Sequence, residues 1–147
     1  MKYQTVSWAD IANFVNIVNL LKKPYDYVVS IHRGGLPLGV MLSHKITKPL
    51  FVGYISLYDN KQTEFQLDDM LKSLTNKSVL LVDDLSDTGR SLELAQDVLR
   101  HKHGVKDVDT LCYCYKRSTR VIPTYSKKVF SDDIWVIFPW ENSSIPE

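Results

Sequence analysis

Val79-Leu80-Leu81-Val82-Asp83-Asp84-Leu85-Ser86-Asp87-Thr88-Gly89-Arg90-Ser91 is the stretch of this chain that says most about its fold. Four consecutive apolar residues suit a strand buried on both faces, as in a sheet covered by helices on each side. Leu92, Ala95 and Leu99 then recur at the spacing of one helix face. The acids therefore stand at a strand end and the small hydroxyl residues at a helix start. Two adjacent carboxylates can accept hydrogen bonds from vicinal sugar hydroxyls or hold a hard divalent cation through oxygen. Exposed N–H groups at a helix N-terminus attract phosphate. Thr88 and Ser91 add hydroxyl donors, and Gly89 lets the backbone approach closely. Together these groups describe a site for a sugar phosphate. The alternative is a purely structural acidic turn. A Walker B reading lacks its partner, because no G-x-x-x-x-G-K-[ST] occurs, and the turn carries no G-x-G-x-x-G for a dinucleotide pyrophosphate.

Upstream, Ser7 and Asp10 form a capping-box pattern ahead of Trp8, Ile11, Ala12, Val15 and Val18, which predicts a helix from Trp8 to Leu21. After the breaker Pro24, the apolar run at 27–31 reads as a strand ending at Arg33-Gly34-Gly35, with a helix from Leu36 to Lys45 behind it. A second strand spans Leu50 to Leu57, and the polar segment from Tyr58 to Asp69 reads as a long loop. Downstream, strands are expected at Asp109 to Tyr115, Lys128 to Phe130 and Trp135 to Phe138. Strands alternating with helices predict an α/β fold with an open, mainly parallel sheet flanked by helices. Ligands in such sheets sit beyond the carboxyl ends of the strands, here Arg33-Gly34-Gly35, Asp83-Asp84 and Lys116.

The 147 residues suit one domain over the whole of 1–147, without repeats or linkers. Eighteen Lys and Arg against seventeen Asp and Glu leave a formal charge of +1, which disfavours general nucleic-acid binding. The Lys116-Arg117-Ser118-Thr119-Arg120 cluster could touch RNA, but it lacks interleaved aromatics. The N-terminus has no apolar leader run, and nowhere do about 18 apolar residues follow one another, so a cytoplasmic protein without a membrane span is expected. Cys112 and Cys114, two apart, are expected on one face of a strand as buried free thiols. His101 and His103 lack the further ligands of a zinc site and read as a helix end before Gly104.

Four apolar residues, two acids and a short Thr/Gly/Ser loop resemble the signature of the type I phosphoribosyltransferases. That resemblance implies that Asp83 and Asp84 bind the ribose hydroxyls of 5-phosphoribosyl 1-pyrophosphate (PRPP), with Mg²⁺ as cofactor and Asp84 as its ligand. It implies that the loop Leu85, Ser86, Asp87, Thr88, Gly89, Arg90 and Ser91 binds the 5-phosphate. Arg33, Gly34 and Gly35 resemble the family's pyrophosphate loop, which often carries a non-proline cis peptide, here His32–Arg33. Lys116 followed by 133–141 resembles the base-recognition portion of bacterial xanthine-guanine phosphoribosyltransferases. Lys116 would then meet the purine 6-oxo group, Trp135 would stack on the base, and the backbone of Val136 would help read it; Asp87 would act at purine N7 by proton transfer or hydrogen bonding. The alternative is that Trp135 and Trp140 are hydrophobic anchors of a C-terminal flap. The resemblance further implies a small hood built from both termini, a homo-oligomer, and PRPP plus a 6-oxopurine as substrates in purine salvage. A departure is that 58–69 lacks the arginine these enzymes use on pyrophosphate and offers only Lys61. Two other readings stay open: a PRPP- or nucleotide-sensing module without turnover, and a transferase for another base.

Overall fold

A computed structural model describes residues 2–20, 23–58, 61–67 and 73–141. The elements run β1 (Lys2–Thr5), α1 (Trp8–Ile17), β2 (Tyr27–His32), α2 (Leu36–Ile46), β3 (Leu50–Tyr58), β4 (Lys61–Leu67), β5 (Ser78–Val82), β6 (Leu85–Ser86), α3 (Arg90–His101), β7 (Asp107–Leu111), β8 (Cys114–Lys116), β9 (Lys128–Phe130) and β10 (Ile134–Ile137). The central sheet has the order β4-β3-β2-β5-β7, parallel except for the edge strand β4. Its two faces hold separate cores, as period-2 alternation demands. Val28, Leu80, Val82 and Leu111 pack with Ile11, Phe14, Leu38 and Leu42 of α1 and α2. Val29, Ile31, Val79 and Leu81 pack with Leu92, Ala95 and Leu99 of α3. Two small parallel sheets, β1-β10 and β6-β8-β9, complete the fold, and β1-β10, which pairs the N- and C-terminal parts of the chain, supplies the expected hood.

The Ser7 box is formed: Asp10 N donates to Ser7 Oγ at 3.0 Å and Ser7 N to Asp10 Oδ2 at 2.9 Å. α1 nevertheless stops at Ile17 instead of continuing to Leu21, which lies outside the described residues. Val18 is already extended, and Lys45 from α2 donates to the carbonyls of Val15, Asn16 and Val18. A cation at this position caps the orphan carbonyls of the final turn.

Three expectations need correction. The segment expected as a loop from Tyr58 to Asp69 carries a strand: Lys61–Leu67 pairs antiparallel with β3, and Phe65 is buried against the α3 face, while 59, 60, 68 and 69 lie outside the described residues. Asp109 to Tyr115 is not one strand either. The chain leaves the central sheet after Leu111, where Cys112 N donates to Tyr125 O at 3.1 Å and Tyr113 N to Asp84 O at 3.0 Å, and enters β8 of another sheet. The step places Cys112 in the α3-side core and Cys114 in the α1-side core, so the two free thiols do not share a face. Burial pushes Cys114 up to about 12 and Cys112 higher than usual too, which keeps both as unreactive thiols. No helix among the described residues is long and apolar enough to cross a membrane.

Candidate active site

The site stands on the carboxyl ends of β2 and β5. Asp83 and Asp84 follow β5 directly, half-buried and adjacent. Asp84 N donates to Asp83 Oδ1 at 2.9 Å, and Leu85 N donates to Asp84 Oδ1 at 2.7 Å. Neither carboxylate has an ion-pair partner among the described residues. Burial pushes Asp83 well above the usual carboxylate range, reinforced by the charge of Asp84, and burial raises Asp84 as well. The chain thus holds two acids where both disfavour ionisation unless a cation arrives.

The turn after β2 lies against these acids. The His32–Arg33 peptide is cis, as the resemblance implied. A Cβ on Gly34 would overlap the Asp84 carboxylate, and one on Gly35 would stand 2.6 Å from Val82 O. Glycine at both positions lets Arg33-Gly34-Gly35 reach the end of β5, and leaves the Arg33 side chain exposed.

Beyond the acids, Asp83 and residues 85–92 line a cavity of about 250 Å³, while Asp84 lines the second cavity described below. Gly89, at φ 86°, is the N-cap of α3 and brings no capping side chain. The positive φ is the left-handed conformation that glycine adopts without a Cβ penalty. A helix start left open toward a cavity favours an anion. Thr88, Arg90 and Asp87 are exposed at its rim. Ser86 lines the same cavity, but its hydroxyl is committed elsewhere: it donates to Val121 O at 2.8 Å and lies 2.8 Å from Thr119 Oγ1.

A second cavity of about 240 Å³ shares Leu85 and Asp87 with the first. Lys116, only 6% exposed, reaches it from β8, and its Nζ donates to the carbonyl of Ile134. Trp135, 53% exposed, and Val136, buried, line it from β10. Phe138 closes it from below, stacked on Trp140 with centroids 5.0 Å apart, and Trp140 in turn leans on Trp8 at 5.7 Å. Trp140 is therefore an anchor of the wall. Sequence reasoning gave no role to Glu141, which also lines this cavity while its Oε2 accepts from Phe138 N at 3.0 Å. Only its position after Phe138-Pro139-Trp140 could have drawn attention to it. The side chain of Lys61 lies outside the described residues.

The family whose description is "Phosphoribosyl transferase domain" matches residues 10–144. The chain belongs to the phosphoribosyltransferases. Among proteins similar to this family member, the xanthine-guanine phosphoribosyltransferase of Desulfotalea psychrophila is 28% identical over 120 residues, covering 80% of this chain and 71% of that one. The enzyme of that name from Nitratidesulfovibrio vulgaris is 26% identical over 125 residues, 84% of this chain and 73% of that one. The crystal structure of a purine phosphoribosyltransferase from Pyrococcus horikoshii Ot3 superposes with a TM-score of 0.89 at 29% identity, over 100% of this chain and 99% of that one. The α/β sheet described above is the type I phosphoribosyltransferase fold.

Proposed function

We propose that this phosphoribosyltransferase transfers the 5-phosphoribosyl group of PRPP to a 6-oxopurine, releasing pyrophosphate and forming the nucleoside 5-monophosphate. A purine ring nitrogen bonds to C1 of the ribose as the C1–O bond to pyrophosphate breaks, and the purine gives up one proton. The observation that carries this reading is the pair of cavities joined at Leu85 and Asp87 beside two uncompensated acids. One cavity is built on a helix start and suits a phosphate; the other combines an aromatic face with a lysine and suits a flat, oxygen-bearing base.

In this reading Asp83 and Asp84 accept from the ribose hydroxyls, and residues 86–91 receive the 5-phosphate. Backbone around Arg33, Gly34 and Gly35 faces the departing pyrophosphate. Lys116 donates to the purine 6-oxo group, Trp135 stacks on the ring, Val136 reads it through its backbone, and Asp87 stands at N7. Asp84, with Asp83, fits Mg²⁺: these are two adjacent, half-buried carboxylates without a cation partner among the described residues, and this ion commonly takes one or two carboxylates together with waters and substrate phosphates. When bound it would neutralise charge on the leaving pyrophosphate.

Pyrophosphate release from Mg-PRPP, measured across a panel of purines and pyrimidines, tests the proposal. Release with guanine, xanthine or hypoxanthine, and none with adenine or pyrimidines, is expected. Release only with another base would reassign the acceptor. Binding of PRPP without release in any mixture would favour a sensing module, a reading prompted by the missing arginine in 58–69.

A further inference from the structure

The run Lys116-Arg117-Ser118-Thr119-Arg120 has the composition of a polyanion contact, yet in the fold it is a tight turn lying between the two cavities. Thr119 N donates to Lys116 O at 3.1 Å, closing the turn directly behind the lysine of the base-side cavity. The other side of the turn grips the phosphate-side loop. Thr119 Oγ1 lies 2.8 Å from Ser86 Oγ, and Arg120 N donates to Thr88 O at 3.0 Å. A Cβ on Gly89 would stand 2.7 Å from both Thr119 Oγ1 and Val121 N. Loop residues 86, 88 and 89 are thus all seated on 119–121.

The proton count gives Thr119 a specific part. Ser86 is 1% exposed and has one hydroxyl proton, which goes to Val121 O at 2.8 Å. Thr119 Oγ1 also lies 3.4 Å from Val121 O, but the shorter approach of Ser86 takes that carbonyl, and the 2.8 Å contact between the hydroxyls is then assigned as a donation from Thr119 to Ser86. We infer that Thr119 is a positioning residue, whose hydroxyl holds the 86–91 turn in the shape that presents its N–H groups to a phosphate, while its backbone fixes the root of Lys116. The inference rests on reading the two cavities as phosphate and base sites. Backbone donors bind an oxyanion well when they are already aimed at it, because no reorganisation then accompanies binding. Valine at 119 keeps the shape but leaves a buried Ser86 lone pair without its donor. The Arg120–Glu93 ion pair, 3.5 Å and exposed on both sides, contributes little to this arrangement.

The test compares the parent with Thr119→Val, Thr119→Ser and Ser86→Ala. Each is measured for Mg-PRPP affinity by calorimetry, for KM and kcat with guanine, and for amide hydrogen exchange across 86–91 without ligand. Thr119→Val and Ser86→Ala are each expected to weaken Mg-PRPP binding about tenfold and to speed exchange in the loop. The guanine KM should stay within about twofold, since the backbone behind Lys116 is kept. Thr119→Ser, which retains the hydroxyl, is expected to restore parent values. Loop exchange and PRPP affinity unchanged in Thr119→Val, or no rescue by serine, would overturn the inference. If Thr119→Val does not fold, Ser86→Ala decides alone. If the parent binds no Mg-PRPP, the transferase reading falls, and the exchange comparison still decides whether Thr119 orders the loop.

Discussion

Half-buried acids occur at two places in this sheet, and they are treated in opposite ways. On the side where β2 begins, Asp109 accepts from Tyr25 Oη at 2.5 Å and pairs with Lys23 at 3.0 Å, while Tyr25 and Tyr125 share a further hydroxyl contact at 2.8 Å. Every charge there has a partner, and Tyr25, 2% exposed, is tied into the α1-side core. At the carboxyl end, Asp83 and Asp84 have backbone donors and each other but no cation among the described residues, and burial opposes their ionisation. Partnered acids hold a fold together; unpartnered neighbouring acids weaken it and are tolerated where a ligand completes them. The contrast separates a structural cluster from a site by the state of its electrostatics, without reference to any ligand.

The contrast breaks most directly at Asp84. Asp84→Asn removes one charge from the pair and is expected to lower Mg²⁺-dependent PRPP affinity by about 100-fold, the order seen when one partner of a desolvated charge contact is truncated. Titration with and without chelator checks this: the parent should lose PRPP affinity on metal removal, and the variant should be nearly indifferent. The same substitution should leave ligand-free thermal stability equal or raised, because it relieves a like-charge contact. A destabilised Asp84→Asn with intact PRPP binding would place this acid with Asp109 on the structural side.

Lys116 stands between the two classes, since it is buried and bonded to the Ile134 carbonyl yet lines the base-side cavity. Lys116→Met keeps most of the stem and removes the donor. A loss of about 30-fold in kcat/KM for 6-oxopurines is expected, from the usual worth of a hydrogen bond to a charged group, with discrimination against adenine relaxed. Steady-state kinetics on guanine, hypoxanthine and adenine decide it. Unchanged selectivity with a lowered Tm would make the lysine a strut for β10. Asp109→Ala is the reciprocal case: it leaves Lys23 without its ion-pair partner and the Tyr25 hydroxyl with Tyr125 alone, and should cost about 2 kcal/mol in urea unfolding while kcat and both KM values stay near parent values.

Much of this arrangement was legible because it is local. The apolar run 79–82, the acids behind it and the 3.6 period of Leu92, Ala95 and Leu99 are contiguous signals, as are Ser7 and Asp10. What escaped depends on distant partners. β4 hid because, in an edge strand, only one face is buried; Phe65 and Leu67 alternate with Glu64 and Gln66, and so few inward residues read as a polar loop. The break after Leu111 was invisible because the acceptor that draws Cys112 out of the ladder belongs to Tyr125. The partners that take up the Ser86 hydroxyl, Thr119 and Val121, were hidden because they lie more than 30 residues away.

The smallest expected effect is also the finest test of the contrast. Because the acid pair keeps its proton to higher pH in the folded chain than in the unfolded one, the folded state binds more protons between about pH 4, the ordinary carboxylate value, and the raised folded values. Unfolding then releases protons, so ligand-free stability falls as pH rises through that window. His103 pulls the other way: burial lowers its folded value, so its contribution grows as pH rises toward 6.5. Subtracting the stability curve of Asp84→Asn from that of the parent cancels His103 and every other group the two proteins share. The difference should decline across the window, because the parent carries the raised acid pair and the variant does not. With saturating Mg-PRPP the sign should reverse, since the ligand needs the ionised pair and binds more tightly as pH rises. A flat difference curve in both conditions would mean that these acids are as well compensated as Asp109, and the electrostatic distinction between the two regions would fail.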